Sequence, residues 1–291
     1  MVVPRLYSDL VFFSLFFSIL FCILCSLASS LLGFWVMLEL CGLSIVPCFF
    51  CSSASGVYNF YDGLLTYVVA SGISSVILVS GLLFDDLYYF VYCGFAVKLG
   101  LFPFSLWVYR VVSASNWFFI FFLSVVLKFP VLFFCFLYQM DVLFLIFSDA
   151  FFTILGCCFL FWVVSNNWSY VWCHISIASV ATLVVACFCA EASLCFFIYF
   201  YYFVWASFCI CLFYYESEVD VSMVGFWVFC FLLLVTPLSL PLFYKLSVCL
   251  GLFYSSSYLL LIWGLYNFSE QFFLYKLGSD RLYSSVFNIW V

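Results

Sequence analysis

Lys98, Lys128 and Lys245 each stand inside stretches that are otherwise apolar, and Glu39 is the only charge between Asp9 and Asp62. The nearest charges to Lys98 are Asp86 and Arg110, twelve residues away on either side, and Lys245 is twenty-five residues from both Asp220 and Glu270. On a helix twelve residues rise about 18 Å, roughly half the hydrocarbon thickness of a bilayer. A charge at the bilayer centre costs at least about 2.5–3.5 kcal/mol, so such residues usually mark an ion path. A lysine held in apolar surroundings can load and release a proton near neutral pH, and Glu39 is the natural carboxylate partner for Lys98. The competing reading is that each lysine snorkels to an interface or neutralises one acid structurally. Central depth makes snorkelling awkward for Lys98 and Lys128, whereas the proline-rich stretch ahead of Lys245 can carry it toward a surface.

Other chemistry is thin. His174, in Trp172-Cys173-His174-Ile175-Ser176, is the lone histidine and cannot build a metal site by itself. A place in a proton relay and plain packing both fit it. Asp149 falls about a third of the way into an apolar segment and can face a cavity. Cys22-x-x-Cys25 and Cys48-x-x-Cys51 have redox or zinc spacing, yet neither lies near a second pair or His174. The seventeen cysteines mostly interrupt apolar runs, where free Cys packs as a small hydrophobe. No metal centre is expected, nor any phosphate cradle, nucleophile elbow, or haem or flavin ligand pattern.

The elements that must carry these residues follow from composition. The chain of 291 residues is 70% hydrophobic and 7% charged, against about a quarter charged in soluble domains. It reads as one all-α integral membrane domain, residues 1–291, facing the lipid bilayer over most of its surface. The net charge of -6 is scattered, and no basic patch suggests nucleic acid. Polar breaks and turn residues give about ten transmembrane helices, near 8–29, 31–51, 62–84, 87–111, 117–138, 141–163, 170–190, 193–214, 222–248 and 249–267, with 271–291 an open question for an eleventh. The fourth and ninth should be broken, by Gly100 and Pro103 and by Pro237 and Pro241, because proline removes a helix hydrogen bond and clashes one turn back. Broken helices persist in membranes only where protein or a watery cavity surrounds them, and in transporters they point to the ion path. Both breaks lie within a few residues of a lysine.

On this parse Arg5, Arg110, Lys276 and Arg281 share one side and Asp85, Asp86, Asp141 and Glu191 the other. The positive-inside rule then puts both termini on the matrix or cytoplasmic side. The N-terminus makes a poor presequence, since Asp9 follows Arg5 and the apolar run exceeds a signal's length. The excess of Phe (44), Tyr (21) and Cys (17) shares T-rich codons, which suggests a small, T-biased organellar genome.

The segment Lys98-Leu99-Gly100-Leu101-Phe102-Pro103-Phe104-Ser105-Leu106-Trp107 resembles the Lys-Leu-Gly-x-x-Pro-Phe-His-x-Trp signature of NADH–ubiquinone oxidoreductase chain 2. Asn116-Trp117 and Leu127-Lys128-Phe129-Pro130 are similar to the stretch that follows in that family. Gly33-Phe34-Trp35-Val36-Met37-Leu38-Glu39-Leu40 resembles its early Trp-x-x-x-Glu-Leu helix. Ile175-Ser176-Ile177-Ala178-Ser179 resembles its Tyr-Ser-Ser-Ile-Ala-His segment, and Pro237 to Lys245 its Gly-x-Pro-Pro-x-x-Gly-x-x-x-Lys helix. Order and rough spacing hold across about residues 33–250. There are departures: Ser105 replaces the signature histidine, Arg110 an acidic residue, and Ser179 the relay histidine. His174 falls one turn earlier, at the usual tyrosine, and the glycines near Pro241 are missing.

The resemblance implies an antiporter-like bundle in the membrane arm of respiratory complex I, in the mitochondrial inner membrane, with other membrane-arm subunits as partners. Glu39 with Lys98, then Lys128, then Lys245 would carry protons. NADH, FMN, iron–sulfur clusters and ubiquinone would belong to other subunits, leaving no cofactor-binding residue here. Chains 4 and 5 share the ancestral pattern but are normally much longer, which favours chain 2. Two rival readings stay open: a free-standing cation/proton antiporter, and a membrane scaffold whose buried charges only pair.

Overall fold

The computed structural model describes residues 4–51, 57–138, 143–165, 167–218 and 223–282; Asp141, one of the loop acids, lies outside them, as do 283–291. Among the described residues there is no strand. The first third holds α1 (Pro4–Leu27), α2 (Leu31–Ile45), α3 (Val57–Leu83), α4 (Tyr89–Leu99) and α5 (Leu106–Ala114). Then come α6 (Trp117–Ser124), α7 (Phe129–Leu137), α8 (Leu143–Val164) and α9 (Trp168–Cys189). The chain continues with α10 (Ala192–Glu218), α11 (Met223–Leu233), α12 (Leu240–Phe253) and α13 (Ser257–Leu282).

Among the described residues, seven segments are long and apolar enough to cross a membrane: Asp9–Leu27, Leu31–Phe50, Tyr61–Leu83, Trp117–Leu137, Leu143–Val164, Trp168–Cys189 and Ala192–Tyr215. The pairs α4–α5 and α11–α12 fall short because each is interrupted, and α13 because its second half is polar. Two boundaries differ from the sequence reading. The turn before the last helix lies at Tyr254–Ser256 and not near residue 249, so α12 runs on to Phe253. Residues 271–282 continue α13 instead of forming a separate segment. The serines of Ser255-Ser256-Ser257 stop α12, with Ser255 N–H returning to Leu252 O at 2.9 Å; the polar residues of α13 have partners inside the bundle, given below.

Capping follows local chemistry. Ser30 accepts from Gly33 N at the start of α2. Asn116 accepts from Phe119 N at 3.0 Å while its amide donates to Cys48 O, which starts α6 and ties it to the end of the second span. The α3–α4 pair packs backbone to backbone: a Cβ at Gly94 would meet Leu78 N at 2.7 Å and Ser74 O at 2.8 Å, so only glycine allows that approach.

α9 is the axis of the bundle. It is 94% buried and packs against α5, α7, α8, α10 and α12. Ala178, Ala181 and Ala186 let neighbouring helices come close. The outer helices instead expose large apolar side chains such as Phe12, Phe144, Phe159 and Phe268. A rim of this kind fits hydrocarbon and not water.

Candidate functional site

Three of the sequence-predicted residues lie within helices and one at a break. Counting 1.5 Å per residue from each helix start places Glu39 roughly 12 Å along α2, Lys98 roughly 14 Å along α4 and Lys245 roughly 8 Å along α12, while Lys128 closes the turn between α6 and α7. Lys98 Nζ donates to Glu39 Oε1 at 2.5 Å, joining α4 to α2. Lys245 Nζ donates to Glu270 Oε1 at 2.8 Å, joining α12 to α13. The isolation of Lys245 in sequence thus ends in the fold: the turn at Tyr254–Ser256 brings a carboxylate twenty-five residues away alongside it.

Lys128 has no ion-pair partner among the described residues. Its three ammonium protons meet three acceptors: Ser176 O at 2.9 Å, Ser179 Oγ at 2.7 Å and Tyr202 OH at 2.7 Å. Its nitrogen also lies 4.1 Å from the centroid of the Tyr202 ring, within cation–π range. Lys128 is 2% exposed. These groups are dipoles, so they hold a cation without fixing it as tightly as a carboxylate would. Ser179 is one of the three.

Each lysine sits at a broken helix. Gly100 ends α4 with φ +71 in a Schellman arrangement, Leu101 N reaching Ala96 O and Gly100 N reaching Val97 O. Pro103 follows in the turn to α5, and Phe102 N is taken up by Thr153 Oγ1 of α8 at 3.0 Å. Trp107 Nε1 folds back onto Val97 O. Around the other expected break, Thr236-Pro237-Leu238-Ser239 form a turn closed by Ser239 N to Thr236 O, with Pro237 at its second position and Leu238 at φ 69. Pro241 lies in the first turn of α12, where its missing N–H costs nothing. Gln271 of α13 satisfies this break from both sides, accepting from Val235 N at 2.8 Å and donating to Leu233 O at 3.2 Å. Trp205 Nε1 donates to Leu232 O.

A third break was not anticipated. Val126–Lys128 is a 3₁₀ turn between α6 and α7, with Pro130 in the first turn of α7. Side chains from outside also reach its carbonyls: Tyr202 OH donates to Ser124 O, and Tyr199 OH and the Cys22 thiol reach Val125 O and Val126 O, which also accept from Lys128 N and Phe129 N. Protein side chains replace the lost helix bonds, as a break at membrane depth requires. The sequence carried a signal for it in Pro130, two residues after Lys128. Glu270 also left a trace, as the only charge between Lys245 and Lys276. Tyr202 left none, being one tyrosine among twenty-one.

A cavity of about 30 Å³ lies between the first two lysines, lined by Lys98 and Lys128 together with Trp107, Ser124, Trp172 and Ser176. At about 10–15 Å³ for each water centre it has room for two waters. Beyond Lys128 the Tyr202 and Tyr244 rings stand 5.6 Å apart, and Tyr244 precedes Lys245. Glu39 thus pairs with Lys98, Lys98 and Lys128 line one cavity, and the Tyr202 that meets Lys128 packs on Tyr244, the residue before Lys245. His174 and Asp149 stand apart from this line. His174 Nδ1 pairs with Tyr109 OH at 2.7 Å, and Asp149 Oδ2 accepts from Tyr92 OH at 2.8 Å. No group of three or more His, Cys, Asp or Glu that could hold a metal occurs among the described residues.

No family model matches the sequence, and no curated protein does. Among solved structures, the chain is similar to one in respiratory complex I from Thermus thermophilus with bound aureothin, with a TM-score of 0.71 at 12% identity. The match covers 92% of this chain and 69% of that one. The two chains share a fold. That likeness concerns the path of the backbone, and the buried charges are this chain's own observation.

Proposed function

We propose that this chain is an antiporter-like subunit of the membrane arm of respiratory complex I, of the chain 2 type, and that it contributes to proton translocation coupled to electron transfer from NADH to ubiquinone. The observation that carries this reading is the ordered line Glu39–Lys98, cavity, Lys128, Tyr202–Tyr244, Lys245–Glu270, set in a fold shared with a complex I chain. Other membrane-arm subunits are its partners in this reading. The nicotinamide, flavin, iron–sulfur and quinone chemistry takes place in other chains. The mitochondrial inner membrane suits the composition. With α4–α5 and α11–α12 each crossing once, ten crossings leave both termini on the matrix side.

Charge separation supplies the chemistry. While Lys98 is held by Glu39, its cation is neutralised and weighs little on Lys128. When that pair opens, the bare ammonium of Lys98 faces Lys128 across a small cavity and disfavours a second cation there. Lys128 then gives its proton to the Ser179 oxygen as the Ser179 hydroxyl turns from Ser176 O and releases its own proton toward Tyr244 and the last pair. Because Lys128 is bound by dipoles and not by a carboxylate, this push can decide its state.

Substituting Lys128 by Met in the assembled complex tests the reading. NADH oxidation, yield of assembled complex and protons moved per NADH are measured together. Assembly with a lowered proton ratio supports the proposal, and full pumping by the assembled Lys128→Met complex sinks it. Isolation of the chain outside any redox complex, with cation/proton exchange in vesicles, would favour the free-standing antiporter.

A further inference from the structure

His174 is fully buried, and only one side of its ring is used: Nδ1 meets Tyr109 OH at 2.7 Å, while Nε2 has no hydrogen-bond partner. It stands two residues from Ser176 on α9, about 200° around the helix, and so faces away from Lys128. On that far side the Phe161 ring of α8 lies 5.2 Å from the imidazole and 6.4 Å from the Tyr266 ring of α13. The Tyr266 hydroxyl is buried and also without a hydrogen-bond partner, as is Asn267 Oδ1 beside it. Tyr109 and Cys157 are both within electrostatic reach of that hydroxyl. One helical turn after Tyr266 comes Glu270, the carboxylate that holds Lys245.

His174 Nε2 and the Tyr266 hydroxyl, both buried against Phe161 and the latter within electrostatic reach of Glu270 as well as Tyr109, lack a close hydrogen bond inside a membrane bundle and need an explanation. Each can bond to water, and water alone can serve as donor to one and acceptor from the next. We propose that the space bounded by α5, α8, α9 and α13 holds bound water, and that His174, Tyr109 and Tyr266 form a second proton relay joining the Glu270–Lys245 pair to α5. This inference rests on the proton-translocating reading above. The step balances within the residues named. A proton arriving from bound water binds Nε2, the proton on Nδ1 passes to the Tyr109 oxygen, and the Tyr109 hydroxyl proton passes to a second water of the same proposed space on the α5 side. The imidazole is left in its other tautomer, and the reverse passage or a ring flip resets it. The route runs along the membrane plane on the side of α9 opposite Lys128. It gives the last ion pair a second route for reloading beside the Lys128 line.

The assembled complex is imaged at a resolution that shows ordered water, and His174→Phe, Tyr266→Phe and Lys128→Met complexes are assayed for protons moved per NADH oxidised. Water density between His174 Nε2 and the Tyr266 hydroxyl, with a lowered proton ratio in both aromatic variants at normal NADH oxidation and assembly, is the expected result. A dry, apolar gap there overturns the proposal whatever the variants do. A wild-type ratio in His174→Phe and Tyr266→Phe, beside a lowered one in Lys128→Met, overturns this relay and leaves the proposed function standing. A wild-type ratio in Lys128→Met overturns the proposed function itself. Should His174→Phe not assemble, Tyr266→Phe decides, because it keeps the ring and removes only the oxygen.

Discussion

The Lys245–Glu270 pair offers a test that separates holding the fold together from moving protons. Both side chains are at most 10% exposed, so neither can regain water when its partner is lost. Removing one member of a buried pair leaves an uncompensated charge, at a cost of about 3–5 kcal/mol. Glu270→Leu carries a further loss, because Gln271 Nε2 donates to Glu270 Oε1 at 3.1 Å while the same amide satisfies the α11–α12 break. Replacing both residues, as Lys245→Met with Glu270→Leu, removes the two desolvated charges together. Such exchanges are often neutral or even stabilising by about 1–4 kcal/mol. Each single variant should therefore lose assembled complex on mild heating, and the double variant should recover most of that loss. A double-mutant cycle on thermal inactivation, followed by native gel, reads the coupling directly. Proton movement should behave oppositely, with the double variant assembled yet unable to pass protons through this pair. Single variants as heat-stable as the parent would refute the argument, since the pair would then not be buried and mutually dependent as described.

Other consequences are as direct. Gly100→Ala places a Cβ 2.2 Å from Val108 Cγ2 at a φ of +71, and should cost about 1–2 kcal/mol for the left-handed backbone with about 1–3 kcal/mol of overpacking; adding Val108→Ala should restore only the second part, as read by thermal inactivation. Leu238→Gly relieves a left-handed leucine that is 79% exposed, and should raise the inactivation midpoint by the equivalent of about 1 kcal/mol. Tyr202→Phe leaves one Lys128 N–H without its acceptor, a loss of about 1.5–3 kcal/mol for a charged donor, and should slow proton movement while assembly persists. A membrane-permeant maleimide should label Cys211, which is exposed, well before its neighbour Cys209, which is fully buried.

The apolar helices and the depth of the lysines were legible because hydrocarbon admits so few charges that each one stands out. Gly100 and Pro237 could be read for the same reason: backbone chemistry is local, and a glycine or proline announces a break wherever it falls. Glu270 was harder, because pairing it with Lys245 depends on where one turn lies, and a shift from residue 249 to 254 changes which residues face each other. The setting of Lys128 was the least legible. It is made by Ser176, Ser179 and Tyr202, ordinary side chains on two later helices, and nothing in their spacing marks them as acceptors for one amine. The break beside Lys128 could have been found by giving Pro130 the weight given to Pro103 and Pro241.

The central position of α9 also has a consequence in time. Lys128 is synthesised seventy-four residues before Tyr202 and forty-eight before Ser176. At about 5–20 residues per second, its ammonium waits roughly 4–15 s for its last acceptor. Glu39 waits fifty-nine residues for Lys98, and Lys245 twenty-five for Glu270. During synthesis, then, these buried charged groups must be sheltered by the insertion machinery or by a neighbouring chain. A finished bundle in which the innermost helix is made ninth of thirteen cannot be stacked from one end to the other; its outer helices must part to admit it.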